Sequence, residues 1–208
     1  MKNCIKFAIA IFFMLSFTDM LAQIKPGYIF GFNLSTLTLK NKGISSYPKL
    51  SFGIHYGGFI EIPVSDNFTF QPAFLLSAKG CDYKIDTAEI SISPIYIEVS
   101  VIPVYRFNID AVKISLFAGP YLAWGVGGYK IVSGRELKSI SFGSGDNHDM
   151  KSFDAGLNFG AGVNIKGLLI SAQYGIGLAN LSTVTTADSE MKNKVIGISF
   201  CSLFPGKK

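Results

Sequence analysis

The stretch Ser144-Gly145-Asp146-Asn147-His148-Asp149 brings a hydroxyl, an imidazole and carboxylates close together, which is the raw material of a hydrolytic or metal site. Acyl transfer by a serine requires a nucleophile, a base and an orienting group held at fixed positions. Residues this close in sequence on a polar loop are ordinarily solvated neighbours, and the spacing and terminal glutamate of a calcium loop are missing. The only other imidazole, His55, has no serine pattern beside it. Gly125-Val126-Gly127-Gly128 has no following helix and so is no phosphate cradle. No P-loop, CxxC pair or nucleotide fingerprint occurs. The expectation is no catalytic residue, no metal ligand and no cofactor, and therefore no enzyme.

A second set of reactive groups is defined by parity. His55, Glu61, Gln71, Lys79, Glu98, Arg106, Tyr121, Asp154 and Gln173 fall on the small-and-polar parity of segments whose other parity is apolar. The clearest segment runs Phe153, Ala155, Leu157, Phe159, Ala161, Val163, Ile165 against Asp154, Gly156, Asn158, Gly160, Gly162, Asn164. A strand has a side-chain period of two, so the two sets face opposite sides of a sheet. After Lys166-Gly167 the pattern resumes with Leu168, Ile170, Ala172, Tyr174, Ile176 and Leu178 outermost, which makes a hairpin across a two-residue turn.

Similar segments place strands at 28–39, 51–64, 68–80, 93–107, 113–127, 152–165, 168–180 and 194–204. Short connections at Ser65-Asp66-Asn67, Asn108 to Val112 and Lys166-Gly167 alternate with long polar ones around 40–50, 81–92, 128–151 and 181–193. Hydrophobic residues make up 49% and charged residues 16%, yet no apolar run approaches the roughly 20 residues of a membrane helix. An all-β, eight-stranded antiparallel up-and-down transmembrane barrel satisfies all of these, with short turns on the periplasmic side and long outer loops. Aromatic residues at segment ends fit headgroup depth: Tyr28, Phe30, Phe68, Phe70, Tyr105, Phe107, Phe200 and Phe204 on the periplasmic side, and Trp124, Tyr129 and Phe153 outside. A soluble sandwich or lipocalin-like barrel is the competing reading, and it requires a polar outer face.

Lys2 and Lys6 precede an apolar stretch from Phe7 to Phe17, and Leu21-Ala22-Gln23 offers a cleavage point, so residues 1–22 read as a signal peptide and 23–208 as the barrel. Cys4 lies before the apolar stretch, which argues against a lipid anchor. Cys81 and Cys201 fall at opposite ends of their strands, some 25 Å apart in a membrane barrel, and are expected to be unpaired. The mildly basic balance is scattered over turns and loops, so nucleic acid is excluded as a partner.

The stretches Tyr96-Ile97-Glu98-Val99 with Pro103 and Tyr105, Phe117-Ala118-Gly119-Pro120-Tyr121, Phe153 to Gly162, and Gln173-Tyr174-Gly175 through Leu181, with the opening Gly31-Phe32-Asn33-Leu34-Ser35, resemble the small outer-membrane β-barrels of Bacteroidetes, the PorT-like proteins. The resemblance implies an OmpA-type, eight-stranded barrel in the outer membrane of a Gram-negative bacterium. It implies no catalytic residues; some relatives act in secretion or gliding. One departure is that Phe204 is followed by Pro205-Gly206-Lys207-Lys208, where such barrels finish on an aromatic residue.

An eight-stranded barrel is just wide enough to be filled by its own side chains. Glu61, Lys79, Glu98, Arg106 and Asp154 should therefore pair as a structural network rather than line a channel. Glu98 and Arg106 are too far apart along one strand to pair, so Glu61 and Asp154 are candidates to surround Arg106 or Lys79. The functional expectation is a monomeric structural or adhesion barrel whose partners are outer-membrane lipid and an extracellular ligand. A secretion-machinery accessory, a narrow pore and a lipid-active enzyme are the alternatives.

Overall fold

The computed structural model describes residues 24–204 except 42–43, 47, 86–87, 110–111, 133–135, 146 and 185–188. The expected signal peptide and the tail after Phe204 lie outside the described residues.

Eleven strands follow one another: β1 (Lys25–Asn41), β2 (Ile44–Ser46), β3 (Lys49–Pro63), β4 (Phe68–Ala78), β5 (Cys81–Ile85), β6 (Ala88–Ile109), β7 (Val112–Val132), β8 (Glu136–Ser139), β9 (Phe153–Ile165), β10 (Leu168–Gly177) and β11 (Glu190–Leu203). Eight of them close a ring in the order β1-β11-β10-β9-β7-β6-β4-β3, with β3 pairing back to β1. Every pairing is antiparallel. The β9–β10 turn is tight because Lys166 (φ 51°) and Gly167 (φ 93°) both adopt left-handed backbone, the geometry that matches strand twist in a two-residue hairpin.

The outward parity is apolar. On β7 it reads Val112, Ile114, Leu116, Ala118, Pro120, Leu122, Trp124, Val126, and β9 and β10 likewise carry no outward charge. Phe52 is 66% exposed and Phe74 55%, far too much phenyl surface for a water-facing sheet. This removes the soluble alternative. Ring pairs mark both edges of the apolar band, Tyr28 with Phe204 and Tyr105 with Phe107 at one end and Trp124 with Phe153 at the other. Most inward positions are small or polar, and bare glycines make room for the larger ones: Tyr121 lies against Gly156, and His55 against Gly31.

The expected outer loop at 81–92 is largely strand, and that at 128–151 begins as strand. β5 pairs with the start of β6, and β7 continues to Val132 to pair with β8. The alternation persists there because Cys81, Ile92 and Ile140 remain apolar on the inward side and pack against Leu37, Met150 and Leu181. A strand crossing the bilayer needs about 9–11 residues, so the 22 residues of β6 and 21 of β7 carry the sheet well beyond it. β10 stops at Gly177, short of 180, and the amides of Leu178 and Ala179 turn to Ala155 O while that of Leu181 bonds Met191 O.

Ala118 faces lipid near the middle of the β7 band. Ala118→Arg is expected to destabilise the folded barrel by about 2–4 kcal/mol, measured as the urea midpoint in micelles followed by Trp124 fluorescence.

Candidate functional site

The interior is filled in layers. At the outer end, residues 140–145 and 147–152 fold over the mouth. Ile140 N–H donates to Gly128 O (3.1 Å), Lys151 N–H to Leu181 O (2.8 Å) and Leu181 N–H to Met191 O (2.7 Å). Leu37, Cys81, Ile92, Ile140, Met150 and Leu181 bury themselves beneath this lid. The polar loop expected here is therefore a plug, and the signal for it was three apolar residues, Ile140, Phe142 and Met150, inside a polar stretch.

His148 sits on the lid, but not in a triad. Its Nδ1 lies 2.9 Å from Ser141 Oγ rather than from Ser144, and its carbonyl accepts from Thr183 Oγ1 (3.0 Å). The two Asp149 oxygens accept from Lys130 Nζ (2.5 Å) and Ser141 N–H (2.9 Å), so no described carboxylate orients the imidazole. Asp146 lies outside the described residues. Partial burial opposes the Asp149 charge, but hydrogen bonds from Lys130 and the Ser141 amide, with the nearby Lys130 and His148 charges, outweigh it and hold the carboxyl below its ordinary range. Among the described residues no cluster of histidine, cysteine or acidic side chains has the makings of a metal site.

Below the lid lies an ionic centre. Lys79 extends its ammonium 2.8 Å from Glu98 and 3.6 Å from Asp154, over the rings of Tyr121 (4.4 Å to the centroid) and Tyr96 (5.2 Å). Asp154 also accepts from Tyr121 OH (3.1 Å) and Asn193 Nδ2 (2.8 Å), and Glu98 from Asn158 Nδ2 (3.3 Å). Lys79, Glu98 and Asp154 are all buried, where an unpaired charge is very costly and several donors per carboxylate are needed. Lys79 reaches the centre because the chain turns inward at Gly80, whose N–H donates to Ser35 Oγ (2.8 Å).

His55 comes next. Asn33 Nδ2 donates to Ser77 Oγ and Ala78 O, which leaves Asn33 Oδ1 to accept from His55 Nδ1 at 2.8 Å. The imidazole then carries its proton on Nδ1, and Nε2 accepts from Ser199 Oγ at 2.8 Å. A cavity of about 40 Å³, lined in part by His55, Gln71, Asn158 and Gln173, has room for a water. Phe59, Ala73 and Cys201 form an apolar layer. Finally Arg106 pairs with Glu61 and donates to Thr69 Oγ1 (2.7 Å), while Gln71 Nε2 donates to Glu61 (2.8 Å).

All nine inward candidates thus point into the lumen, and the five charged ones divide into two centres, with His55 and Gln173 in neither. Glu61 goes to Arg106, whereas Asp154 joins Glu98 around Lys79. The neutral partners Asn33, Asn158, Asn193, Thr69 and Ser199 were missed, although each sits on the inward parity of its strand. Cys81 and Cys201 are free and buried.

The sequence matches the family model described as outer membrane protein beta-barrel domain over residues 21–183. The chain belongs to that family. It is a barrel of the Gram-negative outer membrane, and its closing strand β11 lies beyond the matched range. Similar solved structures include Ail, the attachment invasion locus protein of Yersinia pestis, at 15% identity and TM-score 0.41, covering 86% of this chain and 98% of that one. Neisserial surface protein A is 10% identical with TM-score 0.46, covering 86% and 97%. OprG of Pseudomonas aeruginosa is 14% identical with TM-score 0.41, covering 88% and 97%. No curated protein matches the sequence.

Lys79→Met leaves Glu98 and Asp154 facing each other without a counter-charge and is expected to cost about 3–5 kcal/mol; adding Glu98→Gln to the same chain should recover part of the loss in urea titrations. At the lid, the depressed Asp149 carboxyl means that the Lys130 bridge is complete above the ordinary carboxylate range and lost as pH falls below it. Hydrogen-exchange protection of the Asp149 and Lys151 amides should therefore be full at neutral pH and drop only once pH falls below the ordinary carboxylate range, and Asp149→Asn should remove that pH dependence.

Proposed function

We propose that this family member is a monomeric, non-catalytic barrel that binds ligands through its outer hairpins, with the lumen network serving to hold the barrel closed. The observation that carries this reading is the contrast between the two regions. The interior is filled in successive apolar and ionic layers from the Met150 lid to Arg106, while β5, the start of β6, the end of β7 and β8 extend the sheet beyond the bilayer. On the β5–β6 hairpin, Tyr83, Ile90 and Ser91 contribute with Lys49 of β3 to a groove of about 370 Å³, also lined by the ion-paired Lys84 and Glu89. A partly apolar, partly charged groove of this size suits an extended polar chain.

Against catalysis stands the Ser141–His148 pair itself, which has no described carboxylate to orient it. The motifs from Gly31 to Leu181 support a PorT-like subgroup within the family, and Lys2 to Ala22 supports export by a cleaved signal peptide.

The test is adhesion of cells displaying the full barrel to collagen-, mucin- and heparin-coated surfaces. A second strain carries a barrel in which Asp82 to Ser91 is replaced by a two-residue turn that keeps the Cys81–Ile92 pairing. Adhesion by the full barrel to at least one surface, reduced roughly tenfold by the trim while gel mobility still shifts on heating, is the expected result. Adhesion unchanged by the trim, or absent from all three surfaces, contradicts the reading.

A further inference from the structure

The periplasmic end holds a feature that neither the closed lumen nor the outer hairpins employ. Two adjoining cavities of about 370 and 620 Å³ lie there and share Glu61, Arg106, Asn164 and Leu203 as walls. Ser115 lines the inner one. It is only 1% exposed, and its hydroxyl has no hydrogen-bond partner. Buried hydroxyls are rarely left in that state, because losing water without gaining a partner is costly.

The surroundings explain what the hydroxyl would meet. Ser115 is the cross-strand neighbour of Arg106 on β6 and of Gly162 on β9, and the glycine brings no side chain that could pair with it. Arg106 uses one N–H on Glu61 and one on Thr69, and its guanidinium has donors left. Asn164 accepts from the Gly167 N–H through Oδ1, so its amide nitrogen is free to donate. Lys25 and Lys113 stand on the wall of the outer cavity, and no described residue pairs with either. With Lys166 on the inner wall and Asp66 on the outer one, the two cavities carry four basic and two acidic side chains, and Glu61 Oε1 is already engaged by Arg106 and Gln71.

Beside these polar groups and Ser202, the inner cavity has an apolar wall that includes Phe59, Leu169, Cys201 and Leu203. We propose that the vestibule binds a small organic carboxylate, with its headgroup on Arg106, Ser115 and Asn164 and a short apolar tail against Phe59 and Leu169. A guanidinium already half-balanced by Glu61 matches one negative charge better than two, and its planar donors match the planar carboxylate. The source is either a free periplasmic solute or the carboxyl end of a polypeptide.

The mature protein, refolded in dodecylmaltoside micelles, is titrated with butyrate, butylamine and inorganic phosphate, and with the tripeptide Gly-Gly-Leu as free acid and as amide. Chemical shifts of the Arg106 side-chain N–H and the Ser115 amide report binding. Saturable shifts with butyrate or with the free-acid tripeptide are expected, and the tighter of the two identifies the source. Ser115→Ala, checked for folding by its heat-modifiable mobility, should weaken that binding about tenfold, the loss of one hydrogen bond to a charged group. Lys113→Gln should weaken it several-fold without altering the Ser115 environment. Equal binding of butylamine, binding of phosphate alone, no saturable shift, or butyrate binding indifferent to Ser115→Ala would each overturn the proposal.

Discussion

Everything in this molecule depends on the requirement that backbone N–H and C=O groups inside a bilayer pair with one another. Hydrocarbon offers them no alternative partner, so a sheet that crosses it must close on itself. Here the closure is made by β1, which pairs β11 along one edge and β3 along the other. Closing with eight strands fixes a narrow interior. From that follows the composition of each strand: apolar side chains outward over the whole band, and inward only what a tight lumen can hold.

The narrow lumen turns charge into a structural problem. A buried ammonium or carboxylate is costly unless partnered, and the chain meets this with two separate centres, although the partners of Asp154 all converge on Oδ2 and its Oδ1 has none. Around Lys79 one cation faces two carboxylates, and the excess negative charge is met by neutral donors from Tyr121, Asn158 and Asn193, which come from three different strands. Around Arg106 the pair with Glu61 is direct, and Thr69 and Gln71 complete it. Because each centre draws on several strands, each also fixes the register between them. The His55 linkage does the same with neutral groups, tying β1, β3, β4 and β11 through Asn33, Ser77 and Ser199.

The period-two pattern made the ring legible from sequence, and so did the tight Lys166-Gly167 turn and the direction of every inward charge. Parity alone settles which side of a strand a residue faces. It does not say which inward residues meet, because that depends on the stagger between strands; this is why Glu61 and Asp154 were both candidates for either cation. The extended hairpins were harder to read. Tyr83, Ile90 and Ile131 lie among Asp, Lys, Ser and Glu, and polar composition suggested loops where hydrogen bonding to a neighbouring strand was sufficient to keep the chain extended. The lid was hidden for a related reason: Met150 and Ile140 are isolated apolar residues whose burial depends on Leu37 and Leu181, far away in sequence. His148 was expected to be a solvated neighbour of Ser144 and Asp149, and its hydrogen-bond partner Ser141 lies outside that six-residue motif.

If the lumen is sealed by its own side chains, the protein acts only at its two ends. The most direct measurement is ion conductance of the purified barrel in planar lipid bilayers at neutral pH. The account requires an inserted, heat-modifiable barrel with no steady conductance above the bare bilayer. Reproducible open-channel steps from the unaltered protein would contradict it and would mean that the Met150 lid or the Lys79 centre opens in the membrane.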